Sequence, residues 1–224
     1  MNYLVTGVHA LKLWYAKHYA ISQHKIKIMP NWIELQRLPS INSDKQILRN
    51  KLWFSSQDKI VLFVHRLAER KGAHYIVPIA KLLQSHPSIK FLVIGDGPYK
   101  ETFLQQINAW KLTNITYIGK VPNKDIYTYF SISNVFFMPS EEEWFPRVLL
   151  ESMACNVPYV ASDIWWVKEI SPPWQQKYIY DIWDVQWFSK GIVDILQEKF
   201  DYHDYIKQYD ISEVRKIFIN LIDK

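Results

Sequence analysis

Ile60-Val61-Leu62-Phe63-Val64 and Phe91-Leu92-Val93-Ile94-Gly95-Asp96-Gly97-Pro98 decide the fold. Each opens with an unbroken apolar run. A strand covered on one face alternates apolar and polar residues; a strand buried on both faces does not. Between the two runs, about Ala73 to Ser85, Ile76, Ala80 and Leu83 share one helical face. The alternation continues downstream, with a helix from about Tyr99 to Leu112, a strand Ile115–Ile118, and a helix N-capped by Asn123 and running to about Ile132. A strand Val135–Met138, a helix of roughly Pro146 to Cys155, and a strand Tyr159–Ala161 follow. Tyr178–Tyr180 reads as an edge strand, and helices follow at about Asp184–Glu198 and Ser212–Ile222. Strands alternating with helices imply right-handed crossovers and a doubly wound α/β domain with a parallel sheet, over about residues 58–200. Ligands of such sheets bind beyond the carboxyl ends of the strands, here the loops 66–72, 95–98, 119–122 and 139–145.

The flanks read differently. Val8–Ala20 is an amphipathic helix, and Asn31–Ser56, broken by prolines and polar residues, is a linker. Residues 1–57 and 201–224 therefore stand apart from the central domain. Residues 1–33 carry Lys12, Lys17, Lys25 and Lys27 and no acid. That leaves open a solvated helix face, a peripheral contact with acidic lipid, or a packing surface for another domain. The 224 residues carry 27 Lys and Arg against 22 Asp and Glu, a net charge of +5 that fits a small anionic ligand and is too slight to argue for nucleic acid. Cys155 is the lone cysteine, which excludes an internal disulfide. The sequence has no apolar run long enough to span a bilayer, and the first residues lack the order of a secretion signal, so a cytoplasmic protein is expected.

The chemistry concentrates in Glu143-Trp144-Phe145-Pro146-Arg147-Val148-Leu149-Leu150-Glu151. Pro146 suits a first helical position, where its missing N–H would be unpaired anyway. The amides of Arg147 and Val148 are then expected to face an anion at the helix start. Glu151, further along the helix, and Glu143, before it, can each accept hydrogen bonds from hydroxyls on either side of a bound phosphate. A sugar–diphosphate–ribose ligand has that order of groups; caps and dipole partners use the same residues. Arg66 and Lys71 share the loop after the first buried strand and offer a fork and a point charge to phosphate oxygens, or are two surface cations near Glu69. Gly95 and Gly97 permit a tight turn and a close backbone approach. No dinucleotide fingerprint, Walker pattern, nucleophile elbow or metal-ligand spacing occurs. Cys155 reads as core rather than nucleophile.

Four segments in order, His65–Gly72 (H-R-L-A-E-R-K-G), Val93–Pro98, Pro139–Ala154 (P-S-E-E-E-W-F-P-R-V-L-L-E-S-M-A) and Val157–Asp163 with Glu169 beyond, resemble family-4 glycosyltransferases of the GT-B fold. Ile28-Met-Pro-Asn-Trp32 is similar to that family's interdomain linker, Leu4–Leu13 to the last strand and helix of its acceptor-binding domain, and Asp210–Asp223 to its returning helix. The resemblance implies the Rossmann-like donor half of an enzyme that moves a hexose from a UDP-, GDP- or other nucleoside-diphosphate sugar. It implies retention and no bound metal or other cofactor. By motif position, Arg66 and Lys71 hold the diphosphate, Glu143 the sugar hydroxyls and Glu151 the ribose. The amides of Arg147 and Val148 face the phosphate, and Phe145, Pro146, Gly95 and Gly97 line the site. A missing acceptor domain, a partner chain that supplies it, or self-association through exposed aromatics follows from the same resemblance. The departures are His65, Trp144, Asn156 and Trp165-Trp166, each standing where the family has glycine. They leave open a donor site altered or filled by indole rings, and with it a non-catalytic derivative that binds a protein or glycan.

Overall fold

The computed structural model describes residues 3–38, 45–143, 145–164 and 166–222. A short strand, β1 (Leu4–Thr6), leads into helix α1 (His9–His18) and pairs in parallel with β2 (Ile26–Ile28). Helix α2 (Lys45–Lys51) precedes the main sheet. There β3 (Lys59–Val64), α3 (Ala73–Leu82), β4 (Ile89–Ile94), α4 (Lys100–Ala109) and β5 (Ile115–Gly119) form the first half. The second half is α5 (Ile126–Ile132), β6 (Val135–Met138), α6 (Arg147–Ala154), β7 (Tyr159–Ser162), α7 (Val167–Ile170), β8 (Ile179–Tyr180) and α8 (Val185–Ile195). Helices α9 (His203–Ile206) and α10 (Ile211–Ile222) close the chain.

The six strands lie in the order β5-β4-β3-β6-β7-β8, all parallel, which is the doubly wound α/β sheet expected. Successive side chains of one strand feed opposite cores. Ile60, Leu62, Leu92, Ile94, Phe136 and Met138 pack on one face. Val61, Phe63, Phe91, Val93, Val135 and Phe137 pack on the other. This double burial is why the runs carry no alternation. The sheet reverses direction of growth between β3 and β6, and the loops that follow these two strands meet there.

Three local expectations are corrected. Asn123 does not cap α5. It opens a 3-10 turn, Asn123–Asp125, and the helix begins behind Asp125 without a side-chain cap. Residues 31–56 are not plain linker. They include α2, which Arg49 anchors by donating to the carbonyls of Ile132, Ser55 and Asp58 at 2.8, 2.8 and 2.6 Å. Pro146 is the N-cap residue, one place before the first helical residue Arg147. Asn156, by contrast, explains its own departure. Its φ is +57°, a left-handed conformation that asparagine tolerates. Its side-chain amide holds the C-terminal segment by donating to Phe200 O at 3.2 Å and accepting from Tyr202 N at 2.9 Å.

The chain ends pack together. Ile33 N donates to Tyr209 O, and Ile211 N donates to Ile33 O, at 2.8 and 2.9 Å. Asp210 also accepts from the amide of Leu35 at 3.1 Å. Ile217, Asn220 and Leu221 of α10 share a cavity wall with Tyr3 and Lys27 of the small sheet. Helix α1 has no acid in its first turn and no cap of its own. The Glu169 carboxylate supplies one, accepting from the amides of His9 and Ala10 at 2.5 and 3.0 Å.

Candidate functional site

The carboxyl ends of β3, β4 and β5, with the start of α6 beside them, open onto one groove. Its first part, about 840 Å³, is lined by Val64, His65, Arg66, Ile94, Gly95, Asp96, Gly97, Pro98, Lys120, Val121, Asn123 and Ile126. Its second part, about 560 Å³, shares Val64, His65, Asn123 and Ile126 and adds Glu34, Arg37, Lys124, Tyr127, Arg147, Val148 and Glu151. Both volumes suit a small-molecule ligand.

Backbone packing sets the groove's floor. Gly95 has φ +144°, and a Cβ there would stand 1.8 Å from the carbonyl oxygen of His65. The glycine pattern thus serves loop-on-loop contact, and the two loops are also zipped by Leu67 N to Asp96 O at 3.0 Å and Tyr99 N to Leu67 O at 2.9 Å. Gly72 is equally constrained, with φ +71° and a Cβ position 2.0 Å from the carbonyl oxygen of Pro139. Glycine is the residue that fits either place.

The predicted residues divide between the groove and its walls. Arg66 is exposed and lines the first part; Arg147, Val148 and Glu151 line the second. Burial holds the Glu151 carboxyl above its ordinary value, against the pull of the Arg147 guanidinium 3.8 Å away. The amide of Arg147 is not free as expected: it donates to Phe145 O at 2.8 Å. Phe145 and Pro146 line neither part of the groove. The Phe145 ring lies against Gly7, where a Cβ would meet it at 3.0 Å, and Pro146 is buried. Lys71 is also withdrawn, with 7% exposure; its ammonium donates to Glu142 O at 2.7 Å and pairs with Glu143 Oε1 at 2.9 Å.

Glu143 sits under three donors. Lys71 Nζ, His65 Nε2 and Ser140 Oγ each lie 2.9 Å from its Oε1. Burial would raise its carboxyl, but the hydrogen bonds from His65 and Lys71 outweigh it and hold the group below the ordinary carboxylate value. Glu143 faces a separate pocket of about 330 Å³, lined also by Glu141, Glu142, Trp166, by Leu11, Trp14 and Tyr15 of α1, and by Tyr19 just beyond it. Trp166 is thus buried beside this pocket and does not line the groove. Trp144 and Trp165 lie outside the described residues. Burial pushes the Cys155 thiol up to about 12, which disfavours its thiolate form. Sequence reasoning missed His65 as a bonded member of this cluster and Tyr127 as a groove wall. The first was visible as a bulky residue at a glycine position; the second had no signal.

Among the described residues no three His, Cys, Asp or Glu side chains come together as metal ligands would, and no helix is long and apolar enough to cross a membrane.

The groove, with its cations, its glycine floor and an acid on the adjoining helix, lies at the topological switch point of an open α/β sheet, where ligands of such sheets bind. Residues 44–211 match the family model of the glycosyl transferases group 1, and the chain belongs to that family. It is 30% identical over 173 residues to the phosphatidylinositol N-acetylglucosaminyltransferase GPI3 subunit of Saccharomyces cerevisiae, covering 72% of this chain and 38% of the relative. It is 29% identical over 137 residues to the putative teichuronic acid biosynthesis glycosyltransferase TuaC of Bacillus subtilis, covering 61% and 33%. The structure is similar to that of Anabaena HepE in complex with UDP, with a TM-score of 0.86 at 18% identity, over 99% of this chain and 64% of that one. A sucrose-phosphate synthase from Thermosynechococcus elongatus matches with a TM-score of 0.83 at 18% identity, over 98% and 57%. The chain spans about a third of the length of the curated relatives it matches.

Proposed function

We propose that the chain is the donor-binding part of a family-4, GT-B glycosyltransferase, transferring a hexose from a nucleoside-diphosphate sugar with retention and without a bound metal. The observation that carries this is the groove at the ends of β3, β4 and β5 and the start of α6, with Arg66 in one part and Glu151 in the other. A relative in fold, HepE, is described in complex with UDP-glucose, at a TM-score of 0.84. Arg66 supplies positive charge to the diphosphate, and its charge counters the negative charge that grows on the leaving nucleoside diphosphate. Glu151 accepts from the ribose hydroxyls. Glu143 accepts from the sugar hydroxyls, and buried Lys71 acts on it from behind. The small sheet β1–β2 and helix α1 belong to an acceptor-binding domain, and Glu169 fixes them to the donor half through the α1 amides. Transfer needs the acceptor held against the donor, so donor binding is the activity to test on this chain.

The test is a thermal-shift panel of UDP, GDP and their hexose derivatives against the chain and against Arg66→Ala. A nucleotide present at a hundred times its Kd stabilises the fold by about 2.7 kcal/mol, several degrees in a protein of this size. Arg66→Ala, an exposed position, is expected to melt as the unsubstituted chain does without ligand and to lose the shift. No shift with any nucleotide would overturn the proposal.

A further inference from the structure

We propose that His65 is a positioning residue for the sugar end of the donor, tying the backbone of the Arg66 loop to the carboxylate of Glu143. The inference rests on the reading of the groove as a nucleotide-sugar site.

Three observations carry it. The first is the tautomer. His65 Nδ1 accepts from the Arg66 amide at 2.7 Å. A ring nitrogen that accepts carries no hydrogen, so the hydrogen of the neutral imidazole lies on Nε2. That nitrogen stands 2.9 Å from Glu143 Oε1 and donates to it. One ring therefore bridges the main chain of the groove's cationic residue and the carboxylate beside it.

The second is how the carboxylate is held. His65, Lys71 and Ser140 all converge on Oε1. Donors crowded onto one oxygen fix the rotation of the group. Ser140 and Lys71 approach from the buried side, at 0% and 7% exposure. His65 alone of the three lines the groove.

The third is place. The imidazole lines both parts of the groove, and Glu143 lines the pocket against α1. The bond between His65 and Glu143 joins the groove wall to the wall of that pocket. The main chain beneath is locked by the close Gly95 contact and by His65 N donating to Ile94 O at 3.1 Å, so the ring hangs from a fixed point.

The consequence is selective. Loss of the Nε2–H lets Glu143 rotate and weakens the hold on the sugar more than that on the nucleoside diphosphate, whose groove His65 also lines. The experiment is calorimetric titration of the chain, His65→Leu and His65→Gln with UDP, UDP-glucose, GDP and GDP-mannose. For the nucleotide sugar that binds, His65→Leu is expected to raise Kd about tenfold, the worth of one hydrogen bond to a charged group. The Kd of the matching diphosphate, which shares the groove wall that His65 forms, should rise by clearly less than that of the nucleotide sugar. His65→Gln, whose side-chain amide still donates, should restore most of the loss. If His65→Leu does not fold, His65→Phe keeps the ring without its nitrogens and carries the same expectation. An unchanged ratio, an equal loss for diphosphate and sugar nucleotide, or a Gln variant as poor as Leu overturns the role. Failure of the unsubstituted chain to bind any of the four ligands overturns the reading of the groove, and this inference with it.

Discussion

Replacing Lys71 by Met strips Glu143 of its nearest cation. The two groups lie 2.9 Å apart, with side chains 9% and 10% exposed. At an effective dielectric of about 20, unit charges at that separation attract by about 6 kcal/mol, most of which offsets the desolvation of two ions. The net worth of the pair is therefore small, but half a pair is costly, because the remaining charge stays buried. Lys71→Met is expected to destabilise the fold by about 3 kcal/mol. Glu143→Leu should cost about 4 kcal/mol, since Ser140 and His65 lose their acceptor as well. The double variant should lie within about 2 kcal/mol of the unsubstituted chain, because an apolar pair in the same space leaves no buried ion. The assay is urea denaturation at neutral pH with m-values compared across the cycle. The pH dependence has a definite sign. The native carboxyl of Glu143 lies below its unfolded value, so its stabilisation is complete above the unfolded value and is lost as pH falls through the native one. The coupling should therefore shrink in acid. Single variants that cost less than about 1 kcal/mol, or costs that simply add in the double variant, would refute the reasoning.

Three further outcomes are expected. Gly95→Ala should lower the melting temperature more than any other single change considered, because a Cβ 1.8 Å from the His65 carbonyl oxygen forces two loops apart; differential scanning fluorimetry checks it. Glu151→Gln should stabilise the free protein at neutral pH while weakening nucleoside-diphosphate binding. An acid raised in the native state binds protons more tightly there than in the unfolded chain, so stability falls as pH climbs through the two values; removing the charge removes that loss, as melting in a pH series would show. Glu169→Ala should cost about 1–2 kcal/mol through loss of the cap on α1, and faster amide exchange at His9 and Ala10 than in the unsubstituted chain would report it.

The fold was legible because a sheet buried on both faces writes its strands as unbroken apolar runs, and β3, β4, β6 and β7 stand out for that reason. The small sheet was less legible, since β1 and β2 are three residues each and draw their stability from neighbours. Helix α2 was hidden because its sequence, K-Q-I-L-R-N-K, is polar and short; what holds it is Arg49 reaching three carbonyls on other segments. The same holds for the α1 cap, whose donor and acceptor lie 160 positions apart. At the site, the acids and cations could be picked out by residue type and spacing, but not their pairing. Spacing put Lys71 beside Arg66 in one loop. It could not show that Lys71 turns inward to Glu143 while Arg66 stays exposed, because the loop after β6 decides that. Likewise Phe145 carries the motif, yet its ring serves the packing of Gly7.

The most direct measurement is a crystal structure of the chain grown with the nucleoside diphosphate that shifts its melting most. The account predicts density for the diphosphate beside the Arg66 guanidinium and for the ribose within hydrogen-bonding distance of Glu151. A well-ordered structure with nucleotide bound elsewhere, or with Arg66 and Glu151 both remote from it, would contradict the account.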